Sequence, residues 1–459
     1  AFDGRFCDRN YPDYGAFPGV RAVHGKGLSI WISERMKMLK QHELDKVART
    51  VLRENDRGGY TVPTDALYPY QWNWDSAFAA LGFAEFDLSR AWKEIETLFT
   101  GQWDNGMLPH IIFHQIDDRY FPGPDEWRGV GPIASSGISQ PPVAASIIRQ
   151  IWEKNAASGH NQVRKLYPKL VQWHRWFMNW RCDNGVIFVT HPWEAGRDNA
   201  PDWDEAMAAI NPKNIAPYQR RDTSHVDPNM RPTKYDYDRY IWLVSQGRNN
   251  GWDENTLKKI RAFKVADPTL SFILLRANRD LMNIGLALGQ NVDEIKSWIT
   301  IQEEGVHRLW NSDILSYDSF DLRTGKFAGS ISNASFMCWY GGIYDQRMLS
   351  QFDRIMSKVN YGMPSHDPDS GRFDRKRYWR GPTWAIMNMM IGIGLEDAGE
   401  FERAELVKFQ TNLAISQMGF AEYFDPIDGT PAGGTTFTWT AAVWLGWAKN
   451  LVEKQNGTD

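Results

Sequence analysis

Cysteine is scarce in this sequence, which has three in 459 residues: Cys7, Cys182 and Cys338. They lie far apart, they are odd in number and no pair has CxxC spacing, so the sequence carries neither a disulfide framework nor a zinc motif. Such sparse cysteine is typical of a reducing compartment, and we expect a cytoplasmic location. Because the chain starts at Ala1 rather than Met, the sequence is also compatible with a cleaved leader.

Long apolar runs, basic runs and nucleotide-binding motifs are also missing. No stretch approaches about 18 apolar residues, so no membrane-spanning helix is expected. The formal net charge is −4, whereas nucleic acid and anionic membranes require a clustered positive field. Neither GxGxxG nor GxxxxGK[ST] occurs, and the ten histidines form no HxxxH pair on a predicted helix. We therefore expect no nucleotide cofactor, no bound metal, no nucleic-acid partner and no membrane partner.

Tryptophan is the residue in excess, with 22 in the chain, while the hydrophobic content of 42% and the charged content of 24% are ordinary. Flat aromatic side chains either fill a large core or line a concave site that binds flat apolar faces, such as those of sugar rings. A chain of 459 residues exceeds the size of one ordinary core. It therefore forms either several domains or one large closed architecture.

Apolar residues recur at three- and four-residue spacing along most of the chain, which predicts helices. The first covers 28–55. The others are predicted at 75–85, 87–101, 139–156, 162–180, 236–249, 267–288, 292–311, 346–358, 383–398, 401–417 and 438–454. Asp87, Asp267 and Asn291 stand where N-caps are expected. Strand signals are short and few, and residues 1–27, rich in Gly, Pro and Asp, predict an irregular arm.

The helices come in pairs joined by short turns, without the strict sequence repeat of an open solenoid. This favours an all-α closed ring of helical hairpins. In such a ring the starts of the inner helices converge on one depression, and the polar and aromatic motifs of this sequence do lie at helix starts and in long connections. The longest irregular span, 181–235, is predicted to form a small cap over the mouth.

Eight motifs carry a resemblance to a known family. They are LYPYQWNWDSAFAALG, NGMLPHIIF, FPGP, SGISQPPV, HPWEAGRDNAPDWD, RPTKYDYDRYIWL, RYWRGPTW and FAEYFDP. In order and spacing, over roughly residues 28–455, the series resembles glycoside hydrolase family 63, especially its short bacterial branch of glucosylglycerate and mannosylglycerate hydrolases. The resemblance implies an (α/α)6 toroid, inversion at the anomeric carbon, two acidic catalysts and no redox cofactor.

By motif position, the resemblance makes Asp198 the general acid and Glu422 the general base. Inverting hydrolysis requires two such carboxyl groups about 6.5–9.5 Å apart on opposite faces of the sugar. Trp193 and Trp203 are expected to form an apolar wall that raises the pKa of Asp198. Glu422 is expected on an exposed, loop-like stretch. Four other acids compete for these roles: Glu194, Asp202, Asp204 and Asp425.

Further motif residues are candidates for sugar binding. Asp75 either stabilises the first turn of its helix or binds a pair of sugar hydroxyls, and the family pattern favours hydroxyl binding. The wall of the sugar subsite is expected from Tyr68, Trp72, Trp74, His110, Gln140, Trp379 and Trp384. For each of these aromatic and polar side chains, core packing is the alternative.

The resemblance also implies a carboxylate-binding group made of Arg231, Tyr237 and Tyr378. A guanidinium suits this role because its planar fork binds a carboxylate through two parallel hydrogen bonds. The alternative is that Arg231 pairs with a nearby acid, either Asp227 or Asp236. The resemblance thus predicts a small 2-O-glycosylglycerate as the substrate, with either glucose or mannose as the sugar.

One departure from the family pattern keeps other substrates open. The glycerate hydrolases have a glutamine near the segment before the last helix, where this chain has Thr436 and Phe437. A neutral small α-glycoside, such as glucosylglycerol or an α-glucobiose, is therefore the alternative substrate. A sugar epimerase or a non-catalytic sugar-binding toroid is the alternative from another class. The sequence leaves open whether the chain forms a homo-oligomer.

Overall fold

The computed structural model describes residues 41–65, 67–221 and 227–449, and this part of the chain is mostly helical. Its α-helices are α1 (Gln41–Glu54), α2 (Asn73–Phe83), α3 (Leu88–Leu98), α4 (Pro124–Trp127), α5 (Ala144–Lys154), α6 (Ala156–Trp180), α7 (Asp204–Ala208), α8 (Lys234–Asn249), α9 (Glu254–Ile260), α10 (Pro268–Ala287), α11 (Asp293–Gly305), α12 (Met337–Tyr340), α13 (Leu349–Met356), α14 (Ala385–Asp397), α15 (Phe401–Met418) and α16 (Thr438–Val443). The predicted arm at 1–27 lies outside the described residues. None of the helices described here is long and apolar enough to cross a membrane.

The starts of several helices follow from capping residues. The predicted N-caps at Asp87 and Asp267 are confirmed, because their carboxylates accept backbone N–H groups in the first turns of α3 and α10, at 3.0 and 3.2 Å. These bonds satisfy donors that have no partner within the helix. Asn291 accepts from the N–H of Asp293 at 2.8 Å. The cap position of α11 is nevertheless Val292, so that helix begins one residue later than predicted.

Six buried helices contact one another in a closed cycle. In order these are α2, α5, α10, α12, α14 and α16, and α16 in turn contacts α2. Every residue of α2 and of α16 is buried, as expected of helices that are surrounded by other elements. Five further helices pack on members of this cycle: α3 on α2, α6 on α5, α11 on α10, α15 on α14 and α1 on α16, while the long helix α8 packs on α4.

The described strands are short, as the sequence predicted. They are β1 (Gln71–Trp72), β2 (Ile111–Ile112), β3 (Cys182–Asp183), β4 (Val186–Val189), β5 (Val265–Ala266), β6 (Trp310–Asn311), β7 (Ser316–Tyr317), β8 (Phe320–Asp321), β9 (Lys326–Phe327), β10 (Tyr423–Phe424) and β11 (Pro431–Ala432). The pairs β1–β2, β6–β7 and β10–β11 are antiparallel, and a five-stranded antiparallel sheet has the order β3-β4-β5-β8-β9.

The span 181–235 is only partly irregular. It begins with the hairpin β3–β4, whose second strand is buried at all four positions and pairs with β5. The short helix α7 follows, and residues 209–221 and 227–233 are mainly coil with one 3-10 turn at Pro228–Met230. The first part of the span is therefore packed into the body of the protein. The cap-like role of the whole span stays a prediction.

Candidate active site

A pocket of about 760 Å³ forms where the segments before several buried helices come together. Its lining residues are Pro63, Tyr68, Trp72, Trp74, Asp75, His110, Tyr120, Phe121, Gln140, Trp193, Gly196, Asp198, Arg231, Pro232, Tyr237, Tyr378, Trp379, Glu422, Phe437 and Trp439. They include residues that precede or begin α2, α5, α14 and α16. The pocket thus gathers both proposed catalytic acids and all but one of the predicted binding residues.

Trp384 is the exception, and its predicted place in the sugar subsite is wrong. Its side chain is fully buried. Its ring stacks behind that of Trp379, with ring centroids 3.9 Å apart and planes 3° apart. Its indole N–H donates to the carbonyl of Tyr378 at 3.2 Å. Trp384 therefore supports the wall that Trp379 presents to the pocket, because it stands at the N-cap of α14 and faces the protein interior.

The turn that carries Asp198 has a fixed conformation. Gly196 has φ +68°, in the left-handed region that favours glycine. A Cβ added there would lie 2.5 Å from the ring of Trp74, so the turn packs directly on that tryptophan. On the other side of the turn, the hydroxyl of Tyr240 donates to the carbonyl of Asp198 at 2.8 Å. Asp198 itself is half-buried.

Arg197 anchors this turn to the core. Its guanidinium is fully buried and donates to Asp202 at 3.2 Å and to Asp267, the N-cap of α10, at 2.8 Å. Trp203 donates to the Arg197 carbonyl at 2.7 Å, and its ring lies under the guanidinium. Trp203 therefore does not form a wall of the pocket, contrary to prediction. Trp193 does line the pocket together with Asp198.

Glu422 is buried, with 1% of its surface exposed, so the predicted exposed stretch is wrong. The residue directly precedes β10, and its backbone N–H donates to the carbonyl of Gly434 at 2.7 Å. In return, the Gly434 N–H donates to the Glu422 Oε2 at 3.1 Å. Gly433 has φ +74°, and a Cβ there would overlap the carboxylate. The β10–β11 hairpin thus clamps the side chain in one place.

The charge of Glu422 is set by opposing effects. Burial raises its pKa above the usual range of a glutamate. The guanidinium of Arg231, with Nη2 3.4 Å from Oε2, acts in the opposite direction. The hydroxyl of Tyr68 also donates to Oε1 at 3.1 Å and favours the charged form. Because burial prevails, Glu422 is a stronger proton acceptor than a glutamate in water.

Arg231 is buried and belongs to the same cluster. Its Nη1 donates to the hydroxyl of Tyr68 at 2.9 Å, and its guanidinium lies over the ring of Tyr378, 4.2 Å from the centroid. The two tyrosine hydroxyls are 3.0 Å apart. Tyr378 has φ +45°, a strained value for an aromatic residue, and such strain is found mostly at functional sites. The two tyrosines thus hold the guanidinium beside Glu422.

The two acids close to Arg231 in the sequence form hydrogen bonds with other residues. Asp227 accepts from the backbone N–H of Asn229, and Asp236 forms a capping box with Thr233 at the start of α8. The alternative pairing of Arg231 with either acid is therefore wrong. Tyr237 lines the pocket, and its hydroxyl donates to the carbonyl of Phe121 at 2.9 Å.

Asp75, Gln140 and His110 also line the pocket, as predicted, and their surroundings set the pKa or the hydrogen bonding of each. Asp75 lies in the first turn of α2, and burial, together with the charge of Glu422, raises its pKa well above the usual value. The side-chain oxygen of Gln140 accepts from the backbone N–H of Trp74 at 3.2 Å, which holds the start of α2. Burial, reinforced by a neighbouring histidine, keeps the pKa of His110 well below its usual value, so its ring is neutral at pH 7.

The four acids that competed for the catalytic roles do not line the pocket. Each forms an ion pair with an arginine: Glu194 with Arg181, Asp202 with Arg197, Asp204 with Arg380 and Asp425 with Arg375. Their structural roles leave Asp75, Asp198 and Glu422 as the carboxyl groups of this pocket.

Several pocket residues were not predicted. Trp439 donates from its indole to the carbonyl of Glu422 at 3.2 Å and meets Trp74 edge to face. Phe121 belongs to the FPGP motif, and Phe437 to the position where this chain departs from the family pattern. From the sequence, however, neither residue was assigned to the wall of the sugar subsite. No sequence signal pointed to Tyr120. All four extend the aromatic surface that the tryptophan content suggested.

The pocket holds two carboxyl groups from distant parts of the chain and an aromatic wall. This arrangement is typical of a glycoside hydrolase that uses acid–base catalysis. Across the described residues, no group of three His, Cys, Asp or Glu side chains is arranged to hold a metal ion. Comparison with known proteins leads to the same class. Residues 68–440 match the family model of the mannosylglycerate hydrolase MGH1-like glycoside hydrolase domain. The chain belongs to this family and is a glycoside hydrolase.

Similar proteins are matched over most of their length. Mannosylglycerate hydrolase MGH1 of Selaginella moellendorffii is 41% identical over 413 residues, which cover 88% of this chain and 85% of the relative. Glucosylglycerate hydrolase of Mycolicibacterium hassiacum is 34% identical over 432 residues, or 87% and 96% of the two chains. The crystal structure of the family 63 mannosylglycerate hydrolase from Thermus thermophilus with Tris and D-glycerate has a TM-score of 0.85 and 41% identity, covering 88% of this chain and 99% of that one. The predicted resemblance is confirmed.

Proposed function

We propose that this enzyme hydrolyses the α-glycosidic bond of a 2-O-glycosylglycerate, with glucose or mannose as the sugar. The observation that carries the proposal is a buried arginine, Arg231, in the same pocket as Asp198 and Glu422. The names of the relatives support the same substrate class, since they include mannosylglycerate and glucosylglycerate hydrolases. The Thermus thermophilus structure with D-glycerate supports an acidic leaving group.

Asp198 and Glu422 divide the chemistry between them in this proposal. Asp198, presented by its fixed turn, protonates the glycosidic oxygen as the bond to the anomeric carbon breaks. Glu422 takes a proton from a water molecule that attacks the anomeric carbon from the opposite face, which inverts the configuration. Burial suits Glu422 to this step because a base of raised pKa accepts the proton more readily.

The sugar is expected to bind against the tryptophan wall, and the glycerate near Arg231. Trp74 and Trp379 present aromatic faces to the apolar side of the ring. Asp75, buried in the first turn of α2, accepts from sugar hydroxyls. Arg231 already meets Glu422 at 3.4 Å, a long contact that leaves its N–H groups able to bind a substrate carboxylate. Tyr378 and Tyr237, which line the same pocket, are expected to assist.

We also infer that the helices form an (α/α)6 toroid. The closed cycle of α2, α5, α10, α12, α14 and α16 supports six inner helices, with five further helices packed on them. Residues that precede or begin α2, α5, α14 and α16 line the pocket, as expected where inner helices of a toroid start. We extend the proposal to a cap over the pocket formed by the insertions, and to a cytoplasmic location. We also propose that the enzyme acts without a cofactor, because two side chains supply both the acid and the base.

One observation favours a second candidate, a neutral small α-glycoside. Phe437 lines the pocket and meets the ring of Tyr68 edge to face, with centroids 6.0 Å apart. A phenyl ring there offers no hydrogen bond to glycerate. It offers instead an apolar surface for a glycerol or sugar leaving group.

A release assay distinguishes the two candidates. We expect kcat/KM on glucosylglycerate or mannosylglycerate to exceed that on glucosylglycerol by about 10–100-fold, because a hydrogen bond to a charged group contributes about 1.5–3 kcal/mol. Free sugar is measured at matched concentrations of these three glycosides and of small α-glucobioses. Faster release from glucosylglycerol or from an α-glucobiose would contradict the glycosylglycerate proposal and favour the neutral glycoside.

A further inference from the structure

A second cavity, of about 620 Å³, lies beside the turn that carries the proposed acid. It shares no lining residue with the active-site pocket. Its titratable wall residues other than Tyr240 are Asp204, Asp236, Arg239, Arg377 and Arg380. The cavity is thus bordered by three cationic and two anionic side chains.

Two of the three arginines in this wall form ion pairs, and the third has no acidic partner within the described part of the chain. Arg380 donates to both carboxylate oxygens of Asp204 at 2.8 Å. Arg239 meets Asp236 at 3.3 Å. Arg377 has no ion pair and no side-chain hydrogen bond to any residue that the structure describes, and its Nε is shielded from solvent without an acceptor. The excess charge at this cavity therefore belongs to Arg377.

Asn199 adds a second unsatisfied donor to the same wall. It is 7% exposed, and its side-chain oxygen accepts from the backbone N–H of Trp379 at 2.9 Å. That bond assigns the oxygen and the nitrogen of the side-chain amide, because only the oxygen can accept a hydrogen bond. The Nδ2 group is then buried with no acceptor. A buried donor without a partner costs about 1–3 kcal/mol.

We propose that this cavity is a binding site for a small oxyanion, either phosphate or a small carboxylate. Two buried donors without acceptors among the described residues, one of them on the unpaired cation, favour a ligand that offers both an acceptor and negative charge, and an oxyanion supplies both. Arg377 and Asn199 hold the anion, while the Arg380–Asp204 and Arg239–Asp236 pairs border it without adding net charge. Asn199 directly follows Asp198, and Tyr240, another wall residue, donates to the Asp198 carbonyl. A bound anion therefore stiffens the turn that presents the acid.

Isothermal titration calorimetry with inorganic phosphate and, separately, with acetate tests the site at low ionic strength, without any glycoside present. At least one anion is expected to bind the wild-type enzyme. Its Kd is expected to rise about tenfold or more in Arg377→Gln and in Asn199→Asp. The change in Asn199→Asp keeps the acceptor for Trp379 and removes the orphaned donor. Lys376→Gln, an exposed neighbour with the same loss of charge, should bind within roughly twofold of wild type. Arg231→Gln, in the active-site pocket, should retain within roughly twofold the binding event that Arg377→Gln weakens, which is counted apart from any acetate bound at Arg231 itself.

Binding of neither anion would overturn the proposal. So would an equal loss in Lys376→Gln, which would indicate a general charge effect, or a loss confined to Arg231→Gln, which would place the anion in the active site. Because Arg377 has no side-chain partner to lose among the described residues, Arg377→Gln should keep the wild-type melting temperature in the absence of anion. If that variant fails to fold, Asn199→Asp decides the outcome.

Discussion

Glu422→Gln is expected to lower kcat by about 10²–10⁴-fold, the range that general acid or base catalysis contributes. Glutamine retains the shape of the side chain and an oxygen for the Gly434 N–H, but it cannot take a proton from water. Asp198→Asn is expected to lower kcat within the same range, because asparagine cannot protonate the leaving oxygen. Initial rates on a glycosylglycerate, with kcat and KM determined separately, measure both effects.

Glu205→Gln is the matched control for these two variants. Glu205 is an exposed acid on α7, in the segment that follows the Asp198 turn. Its replacement removes the same charge and should leave kcat within roughly twofold of wild type. Melting temperatures close to wild type would show that the two active-site variants fold. Near-normal turnover by either Asp198→Asn or Glu422→Gln would remove that residue from the mechanism.

Arg231→Ala is expected to have two separable effects. KM for a glycosylglycerate should rise about 10–100-fold, because a charged hydrogen-bond partner of the substrate is lost. In addition, Arg231 holds the pKa of Glu422 down against burial. Its loss raises that pKa, and a base must be deprotonated to act. The acidic limb of the kcat–pH profile should therefore move to higher pH for every substrate, neutral glycosides included.

Arg231→Lys and a neutral substrate separate these effects. Lysine keeps a positive charge near Glu422, so the acidic limb should return toward its wild-type position, while the planar fork for a carboxylate stays absent. On glucosylglycerol, Arg231→Ala should change the pH profile with little rise in KM. An equal rise in KM on glucosylglycerol and glycosylglycerate would show a structural role. An unmoved acidic limb would show that Arg231 does not tune the base.

Local patterns in the sequence predicted most of the longer helices, because periodicity and capping act over a few residues, but the short helices α4, α7, α9 and α12 were not predicted. The predicted 267–288 is observed as Pro268–Ala287 and the predicted 401–417 as Phe401–Met418. The site residues were found for a related reason. Several of their motifs stand before α2, α5, α14 and α16, and the closed cycle of buried helices brings these motifs into one pocket. Asp198 and Arg231 reach the same pocket from the connections before α7 and α8.

The errors concern contacts between distant parts of the chain. Arg231 meets Glu422 across 191 residues of sequence, so local spacing favoured the nearby Asp227 and Asp236 instead. Burial of Glu422 depends on the β10–β11 hairpin, whose strands have two residues each and show no periodicity. Nothing in the local sequence distinguishes Trp384 from Trp379, because both are tryptophans of the motif RYWRGPTW. Only the stacking of one ring behind the other decides which of them reaches the pocket.

The anomeric configuration of the first sugar released tests the central claim most directly, that Asp198 and Glu422 hydrolyse an α-glycoside by inversion. Proton NMR spectra recorded early in the turnover of α-glucosylglycerate or α-mannosylglycerate, before mutarotation, resolve the two anomers of the free sugar. The mechanism predicts that the β-anomer appears first and then equilibrates. Initial release of the α-anomer, or an epimerised sugar with the glycosidic bond intact, would contradict it.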